Sequence, residues 1–370
     1  MTERLAGFDG LRALAALLIV VLHVTSATGE VNSYTARLDI GVAVFFVISG
    51  FLLYRPFAAA HLGQRGVVSL RRFWLRRVVR IYPAYWVALT AAIVAFGSTE
   101  LEGAWDHARH YLLVQIYEPA YGLAGIIPAW TLAVEVSFYA ALPLYAAAIG
   151  ALTSRAPVAR RVPVELAAAG MLYAGALAWR WILVSERGTD AVSARWLPAM
   201  ADWFALGILL AVAHVSLPDE SPLRARLTRA APAMPVLALL SYVAVCNIGL
   251  PTDGTSGTVA DDMLRQVLFG AFGCFLVATA AFGGESTTAR RALAHPVAVA
   301  VGTVSYGVFL WHFDWIEQLG AWDVTSTAPM LFAALGLAGL TATLSWLALE
   351  RPLLRGAPVR GRFASNKVGQ

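Results

Sequence analysis

Residues 11–28 read LRALAALLIVVLHVTSAT, and this stretch decides the fold class of the chain. A helix needs about 20 mostly apolar residues to cross the hydrocarbon core of a membrane. The stretch is close to that length and carries one permanent charge, Arg12, near its start. Polar His23, Thr25 and Ser26 stand where a signal peptide would carry small residues for cleavage. We therefore predict a membrane-spanning helix here and not a cleaved signal peptide.

Nine further stretches have the same apolar character. The ten predicted spans cover residues 11–28, 38–57, 81–98, 129–151, 163–184, 195–214, 232–250, 262–283, 296–318 and 328–349. The composition agrees, because 59% of the 370 residues are hydrophobic and only 14% are charged, against about 25% charged residues in soluble domains. The sequence predicts an all-α polytopic membrane protein of about ten transmembrane helices, with residues 1–352 forming one membrane domain.

The basic residues predict the orientation of these spans. Of the 28 Arg and Lys residues, 22 fall at the N-terminus, in the connections after the even-numbered spans or in the C-terminal tail. Basic connections face the cytoplasm, so both termini are predicted to be cytoplasmic, with residues 353–370 as a basic, disordered tail. We expect a multi-pass protein of a bacterial inner membrane that contacts lipid and binds no nucleic acid. Two cysteines exclude a thiolate-rich metal site, and no metal or tightly bound cofactor is expected.

Ionisable side chains within the spans indicate chemistry, because charges in a membrane are costly and usually functional. A helix rise of about 1.5 Å per residue places five of them at a similar depth in the outer part of the membrane: His23, Glu135, Arg180, Asp202 and His312. A histidine oriented by a carboxylate is a usable general base, and Glu135 or Asp202 is the candidate partner of His23. In the alternative interpretation, the histidines are structural and the two acids pair with Arg180. Asp314 is expected to snorkel to the outer surface.

Residues 66–80, GVVSLRRFWLRRVVR, form a basic amphipathic stretch. One interpretation is an interfacial helix held by anionic lipid headgroups. The other is a clamp for the phosphates of a cytoplasmic donor, because the guanidinium fork grips phosphate oxygens in pairs. The candidate donor-binding residues of this stretch are Arg71, Arg72, Arg76, Arg77 and Arg80.

The run FFVISG at residues 45–50 lies inside the second span. It predicts either a close helix contact through its small residues or a narrow passage for a thin acyl chain. Both interpretations stay open at this point. The candidate donor-binding residues of the run are Phe45, Phe46, Ser49 and Gly50.

Five motifs, in order along the chain, resemble those of the acyltransferase-3 family of integral membrane acyltransferases. They are Asp9-Gly10-Leu11-Arg12 followed by His23; FFVISG; Arg77-x-x-Arg80-Ile81-Tyr82-Pro83; Trp130-Thr131-Leu132-x-x-Glu135-x-x-Phe138-Tyr139; and Ser305-Tyr306-Gly307-x-Phe309-Leu310-Trp311-His312. The resemblance extends from residue 7 to about residue 352. It implies a ten-helix core in which Arg12 and His23 are the paired essential residues. Because some members add an extracellular hydrolase-like domain, the short chain is expected to resemble the stand-alone members.

The resemblance implies a membrane O-acyltransferase. The expected co-substrate is acyl-CoA, above all acetyl-CoA, and the expected acceptor is a hydroxyl of a surface glycan or of a glycosylated small molecule such as a macrolide. We expect the catalytic residues to be His23, Glu135 and Arg12, with Tyr306, Ser305, His312, Asp202 and Arg180 as candidates for acceptor binding or oxyanion stabilisation. The alternative is a transporter or proton-coupled permease, in which intramembrane acids and histidines relay protons. The lack of repeated halves in the sequence argues against transport.

Overall fold

The structure is a computed structural model that describes residues 6–118, 125–189, 191–252, 257–284 and 287–356. Within these ranges the chain is helical, with turns between the helices and no strand. The α-helices are α1 (Ala6–Ala27), α2 (Ile40–His61), α3 (Leu70–Ala91), α4 (Gly103–Tyr111), α5 (Trp130–Arg155), α6 (Val158–Arg187), α7 (Leu197–Ser216), α8 (Pro222–Ala230), α9 (Met234–Cys246), α10 (Val259–Phe282), α11 (Thr288–Leu293), α12 (Pro296–Ala321), α13 (Thr327–Ser345) and α14 (Arg351–Gly356).

Ten helical segments of the described chain are long and apolar enough to cross a membrane. They are Gly7–Ala27, Thr35–His61, Leu70–Phe96, Ile127–Arg155, Val158–Arg187, Val192–Ser216, Pro222–Cys246, Val259–Phe282, Pro296–Ala321 and Thr327–Arg355. The predicted fold class and number of spans are confirmed. The cytoplasmic position of the termini stays a prediction, and residues 357–370 of the predicted tail lie outside the described residues.

The third span begins earlier than predicted. Residues 70–80 of the basic stretch, which one interpretation made a separate interfacial helix, are the first part of α3, which runs from Leu70 without a break through Pro83. The arginines of its first three turns lower the local hydropathy, which hid the start of the helix from the hydropathy pattern. This continuity fixes the arginines of the stretch to the same rigid element as the apolar part of the span.

Close backbone contacts hold the centre of the bundle together. A Cβ atom on Gly302 of α12 would lie 1.9 Å from the carbonyl oxygen of Asp9 on α1, and a Cβ atom on Gly50 of α2 would lie 2.1 Å from that of Phe204 on α7. No side chain larger than hydrogen fits either contact. Glycine at these positions therefore lets α12 pack tightly on α1, and α2 on α7, as small residues do in membrane helix pairs.

The two ends of the bundle differ in charge. Successive spans joined by short connections run antiparallel, so the start of α1, the end of α2 and the start of α3 share one end. The exposed arginines Arg65, Arg71 and Arg72 lie there, and we call it the arginine-rich end. The opposite end carries the connection with Glu100 and Glu102, and we call it the acidic end.

Candidate active site

Two histidines from opposite ends of the sequence meet inside the bundle. His23 lies on α1 and His312 on α12, and the distance between Nδ1 of His23 and Nε2 of His312 is 2.8 Å. Their rings stack with centroids 5.1 Å apart. His312 is fully buried, whereas His23 is partly exposed. Of the two, His23 is thus the one that a reactant can reach.

The hydrogen bonds assign the protons on both rings. Nδ1 of His312 lies 3.1 Å from the carbonyl oxygen of Val308, and a carbonyl oxygen can only accept, so this nitrogen carries the proton. Nε2 of His312 is therefore the acceptor, and Nδ1–H of His23 donates to it. This arrangement leaves the lone pair of His23 on Nε2. An imidazole with a free Nε2 lone pair and a fixed Nδ1–H has the form of a general base.

The expectation that Glu135 or Asp202 orients His23 is wrong in this structure. Glu135 accepts hydrogen bonds from Ser49 Oγ at 2.6 Å and from Tyr139 OH at 2.5 Å. Asp202 Oδ1 accepts a hydrogen bond from Gln266 Nε2 at 2.9 Å. The predicted depth of Glu135 is also wrong, because it lies with Arg12 nearer the arginine-rich end and not at the level of His23. Counting residues along a helix also contains no information on which helices are neighbours.

Glu135 belongs to a cluster of charges nearer the arginine-rich end. It interacts electrostatically with Arg12 and Arg77, and Arg80 interacts with both Arg12 and Arg77. Arg12 also donates to the Asp9 carboxylate at 2.9 Å. Three arginines outnumber the two acids, Glu135 and Asp9, so the cluster is basic and can bind further anionic groups. We call it the basic cluster. The predicted residues Arg12, Arg77, Arg80 and Glu135 are thus brought together.

Helix geometry links this basic cluster to the histidine pair. Arg12 and His23 are eleven residues apart, which is about three turns and about 16 Å along α1, so both side chains lie on nearly the same face. The remaining donor candidates, Arg71, Arg72 and Arg76, are exposed at the start of α3. They provide positive charge at the entrance to the cluster.

The FFVISG run presents two faces, as residues four apart do on a helix. On one face, Phe46 stacks on Phe204 at 4.5 Å between ring centroids, and Gly50 makes the close contact with α7. On the other face, Phe45 packs edge-on against Phe309 at 5.9 Å, and Ser49 donates to Glu135. The close helix contact is confirmed for one face. The other face lies between the basic cluster and the histidine pair.

Three acceptor or oxyanion candidates are engaged elsewhere. The Arg180 guanidinium donates to both carboxylate oxygens of Asp262, at 2.7 and 2.8 Å, and to the Ala194 carbonyl. The hydroxyl of Ser305 donates to the Gly302 carbonyl at 2.9 Å, and that of Tyr306 to the Ile81 carbonyl at 2.8 Å. Arg180 therefore forms its ion pair with Asp262 and not with Glu135, while Asp202 stays within electrostatic range of it.

Asp314 does not snorkel to the surface. It is 2% exposed, and its Oδ1 accepts a hydrogen bond from Ser98 Oγ at 2.7 Å. Its second oxygen, Oδ2, and the indole Nε1 of Trp311 are buried without a hydrogen-bond partner among the described residues. The two residues are three positions apart on α12, one before and one after His312 in the sequence. The sequence pattern indicates no role for Trp311 beyond its place in a motif, because an aromatic residue in an apolar span is typical of a packed core.

A family model described as an acyltransferase domain matches residues 5–350. Among similar proteins are several from Staphylococcus aureus whose names give O-acetyltransferase as their proposed activity. They are 23% identical to this chain over 371 residues, which is 94% of this chain and 56% of theirs. The chain thus spans about half the length of these relatives. The acyltransferase MdmB of Streptomyces mycarofaciens is 27% identical, covering 95% of this chain and 92% of its own. The exopolysaccharide production protein ExoZ of Rhizobium meliloti is 27% identical, covering 93% and 96%. No solved structure matches.

Proposed function

The chain belongs to the acyltransferase-3 family of membrane acyltransferases, and on that premise we propose that it is an acyl-CoA-dependent O-acyltransferase. It moves an acetyl or other short acyl group to a hydroxyl of a carbohydrate-containing acceptor. The observation that carries the proposal is the His23–His312 pair, at 2.8 Å, with a basic cluster on the same face of α1. One end of this arrangement suits a phosphate-bearing donor, and the other suits proton abstraction from a hydroxyl.

The basic cluster is proposed to bind coenzyme A from the cytoplasm. Coenzyme A carries several phosphate charges, and arginine grips phosphate oxygens with two parallel hydrogen bonds. Arg77 is held in place by a hydrogen bond from its Nη1 to the Phe73 carbonyl at 3.1 Å and by its position over the Phe73 ring. Arg12 and Arg80 add positive charge within interaction distance. A preorganised cluster loses less side-chain entropy on binding than free arginines do.

The acyl-bearing arm then extends along α1 from the basic cluster toward the histidine pair. Phe45 and Phe309 provide apolar surface on that route, and Ser49 and Tyr139 present their hydroxyls to Glu135 beside it. A thin pantetheine arm with amide groups suits a wall that alternates apolar and polar groups. The thioester reaches His23 while the phosphates stay at the arginine-rich end.

At His23, Nε2 accepts the proton of the acceptor hydroxyl as its oxygen attacks the thioester carbonyl carbon. The new carbon–oxygen bond forms, the carbon–sulfur bond breaks, and the proton passes from Nε2 to the departing sulfur. Throughout, Nδ1–H keeps its hydrogen bond to His312, which fixes the ring and keeps the lone pair on Nε2. A positioned general base contributes about 10²- to 10⁴-fold to such a rate.

The acceptor class rests on the relatives and on the position of the site. ExoZ is named for exopolysaccharide production, and the Staphylococcus aureus proteins for O-acetyl transfer. His23 lies near the acidic end of its span, the end that is proposed to face outward and to admit the acceptor. We therefore propose a surface glycan or a glycosylated small molecule as acceptor, and the inner membrane of the cell as the location.

The test uses purified protein in lipid nanodiscs with radiolabelled acetyl-CoA. A panel of polysaccharide fragments, lipid-linked sugars and glycosylated macrolides is offered as acceptors, each beside its deoxy analogue. We expect label on at least one hydroxyl-bearing acceptor, none on the deoxy analogue, and none with His23→Ala. If wild-type protein binds acetyl-CoA and labels no member of the panel, a glycan acceptor is wrong. Failure to bind acetyl-CoA would overturn the donor.

A further inference from the structure

A second polar site lies at the arginine-rich end, away from the histidine pair. A cavity of about 430 Å³ opens there between the end of α2, the connection at 62–69, α5 and the start of α6. Its walls are mostly apolar, and its polar lining residues are His61, Thr153, Ser154 and Arg161. The residues of the proposed transfer route are not among those that line it.

The inner side of the cavity is built around a buried carboxylate. Glu165 of α6 is 0% exposed. Its Oε1 lies 2.6 Å from Nδ1 of His61, and its Oε2 accepts a hydrogen bond from Tyr54 OH at 2.5 Å. The charge of Glu165 is therefore matched by two donors from α2, and His61 is held at the cavity wall.

Gly150 makes room for the His61 ring. A Cβ atom at Gly150 would lie 2.8 Å from Nε2 of His61, so a side chain at this position of α5 would displace the ring. Gly150 lines the cavity beside His61. With Nδ1 engaged by Glu165, the imidazole presents its Nε2 edge toward this wall. Nε2 is therefore the nitrogen of His61 that a ligand in the cavity can contact.

Arg161 has the position of an ion-pair partner of Glu165 but does not act as one. It lies four residues before Glu165 on α6, a spacing at which opposite charges usually pair. Both oxygens of Glu165 are occupied by His61 and Tyr54, and Nε of Arg161 is buried without a partner among the described residues. Arg161 also lies in the first turn of α6, where helix N–H groups favour negative charge. A buried guanidinium nitrogen without a partner, at the wall of a cavity, indicates an anionic ligand.

We propose that this cavity binds a phosphate-bearing amphiphile, with its phosphate on Arg161 and His61 and its apolar part against Phe57, Pro143 and Ala146. Arginine with a second donor is a common phosphate site, and the buried carboxylate behind the wall, Glu165, is already engaged by His61 and Tyr54. The same chemistry is offered by two sources: the headgroup of a membrane phospholipid and the phosphates of coenzyme A. The inference goes beyond the proposed function, since either source can occupy the cavity.

The experiment uses the full chain in dodecyl maltoside, stripped of phospholipid. Equilibrium binding is measured with two probes, coenzyme A and dihexanoyl phosphatidylglycerol, each beside its phosphate-free counterpart, pantetheine or dihexanoylglycerol. Arg161→Gln is compared with Arg160→Gln, a neighbouring arginine that is exposed and does not line the cavity. We expect at least one phosphate probe to bind the wild type about tenfold or more tightly than it binds Arg161→Gln, and Arg160→Gln to match the wild type.

A second variant, Ala147→Trp, fills the cavity from its exposed rim without touching Glu165 and is expected to weaken the same probe. Loss for coenzyme A alone assigns the cavity to a coenzyme A phosphate bound apart from the basic cluster, and loss for the lipid alone assigns it to a phospholipid. Equal binding of both probes to wild type, Arg161→Gln and Ala147→Trp would overturn the proposal. These are binding measurements, so they hold whether or not the wild type transfers acetyl groups to any acceptor.

Discussion

His23 and His312 are 289 positions apart in the chain, yet Nδ1 of the first and Nε2 of the second lie 2.8 Å apart. The contact depends on the close packing of α1 and α12 at Gly302. A second imidazole replaces the carboxylate that usually orients a catalytic histidine. Because His312 is neutral in this arrangement, it holds the ring of His23, the proposed base, but gives less charge stabilisation to a protonated His23 than a carboxylate would.

His23→Ala is expected to lower the turnover of acetyl transfer by about 10²- to 10⁴-fold while the affinity for coenzyme A is unchanged. The basic cluster, about 16 Å away along α1, is too distant to be disturbed by the loss of this ring. Transfer rates and coenzyme A binding are measured on the same preparation. Near-normal turnover in His23→Ala would make the assignment of the base wrong, and His312 would become the candidate.

Two variants of His312, measured in the same assay, test whether this residue acts by positioning His23. The amide oxygen of Gln can accept the Nδ1–H of His23, whereas Ala cannot. His312→Gln should therefore retain more turnover than His312→Ala, with similar Michaelis constants for acetyl-CoA in both. Equal activity of the two variants would show that His312 does not act through its acceptor nitrogen.

Replacing Arg77 and Arg80 by Ala should weaken coenzyme A binding and leave acceptor affinity nearly unchanged. Each lost charged phosphate contact costs about 1.5–3 kcal/mol, which is about 10- to 150-fold in the dissociation constant. Arg229→Ala removes an exposed arginine of α8 at the same end and serves as the control for net charge. If acceptor binding falls and coenzyme A binding does not, the start of α3 is only a lipid anchor.

The predicted orientation can be tested by labelling. With Cys246 and Cys274 replaced by Ser, single cysteines are introduced at Glu102 and Arg160, both of which are exposed. A membrane-impermeant maleimide should label Glu102→Cys in intact cells, and Arg160→Cys only after the membrane is opened. Labelling of both positions from the same side would contradict the ten-span arrangement with cytoplasmic termini.

The sequence predicts the spans well because lipid imposes a simple rule, that a crossing helix is apolar over about 20 residues. The rule fails where a helix extends beyond the apolar layer. The predicted third span therefore begins at residue 81, eleven residues after the start of α3 at Leu70. It is also silent on which helices are neighbours. Depth along a helix follows from counting residues, and this was sufficient to place His23 and His312 at one level.

The partners of the other polar residues could not be predicted, since they depend on packing between distant segments. Glu135 faces Ser49 because α5 lies against α2, and Arg180 faces Asp262 because α6 lies against α10. The order of the motifs indicates the candidate functional residues, and the structure shows which of these residues are in contact. Tyr139 belongs to the same motif as Glu135 and follows it by one helical turn, and that spacing could have identified the hydrogen bond from its hydroxyl to Glu135.

Gly50→Ala should destabilise the protein, whereas Gly336→Ala should not. A Cβ atom at Gly50 would lie 2.1 Å from the Phe204 carbonyl oxygen, so the backbones of α2 and α7 must separate; at Gly336 nothing lies within 4 Å. Overpacking of this kind costs about 1–3 kcal/mol, while Ala within a helix gains about 0.5–1 kcal/mol over Gly. Thermal unfolding in detergent measures both. A melting temperature for Gly50→Ala equal to that of the wild type would contradict the close contact.

The Arg180–Asp262 ion pair allows the role of Arg180 to be tested. The sequence suggested Arg180 for oxyanion stabilisation, whereas its contacts in the structure indicate a role in folding. Both side chains are buried, and two hydrogen bonds join them. Removing one partner of a buried ion pair leaves an uncompensated charge and costs about 3–5 kcal/mol, whereas replacing both by apolar residues is often neutral. Arg180→Met should therefore lower the melting temperature strongly, and Arg180→Met combined with Asp262→Leu should restore most of it.

The double variant is then assayed for acetyl transfer per folded molecule, and we expect the wild-type rate. A restored melting temperature with turnover reduced about 10²- to 10³-fold, the cost of losing an oxyanion donor, would return Arg180 to the catalytic machinery.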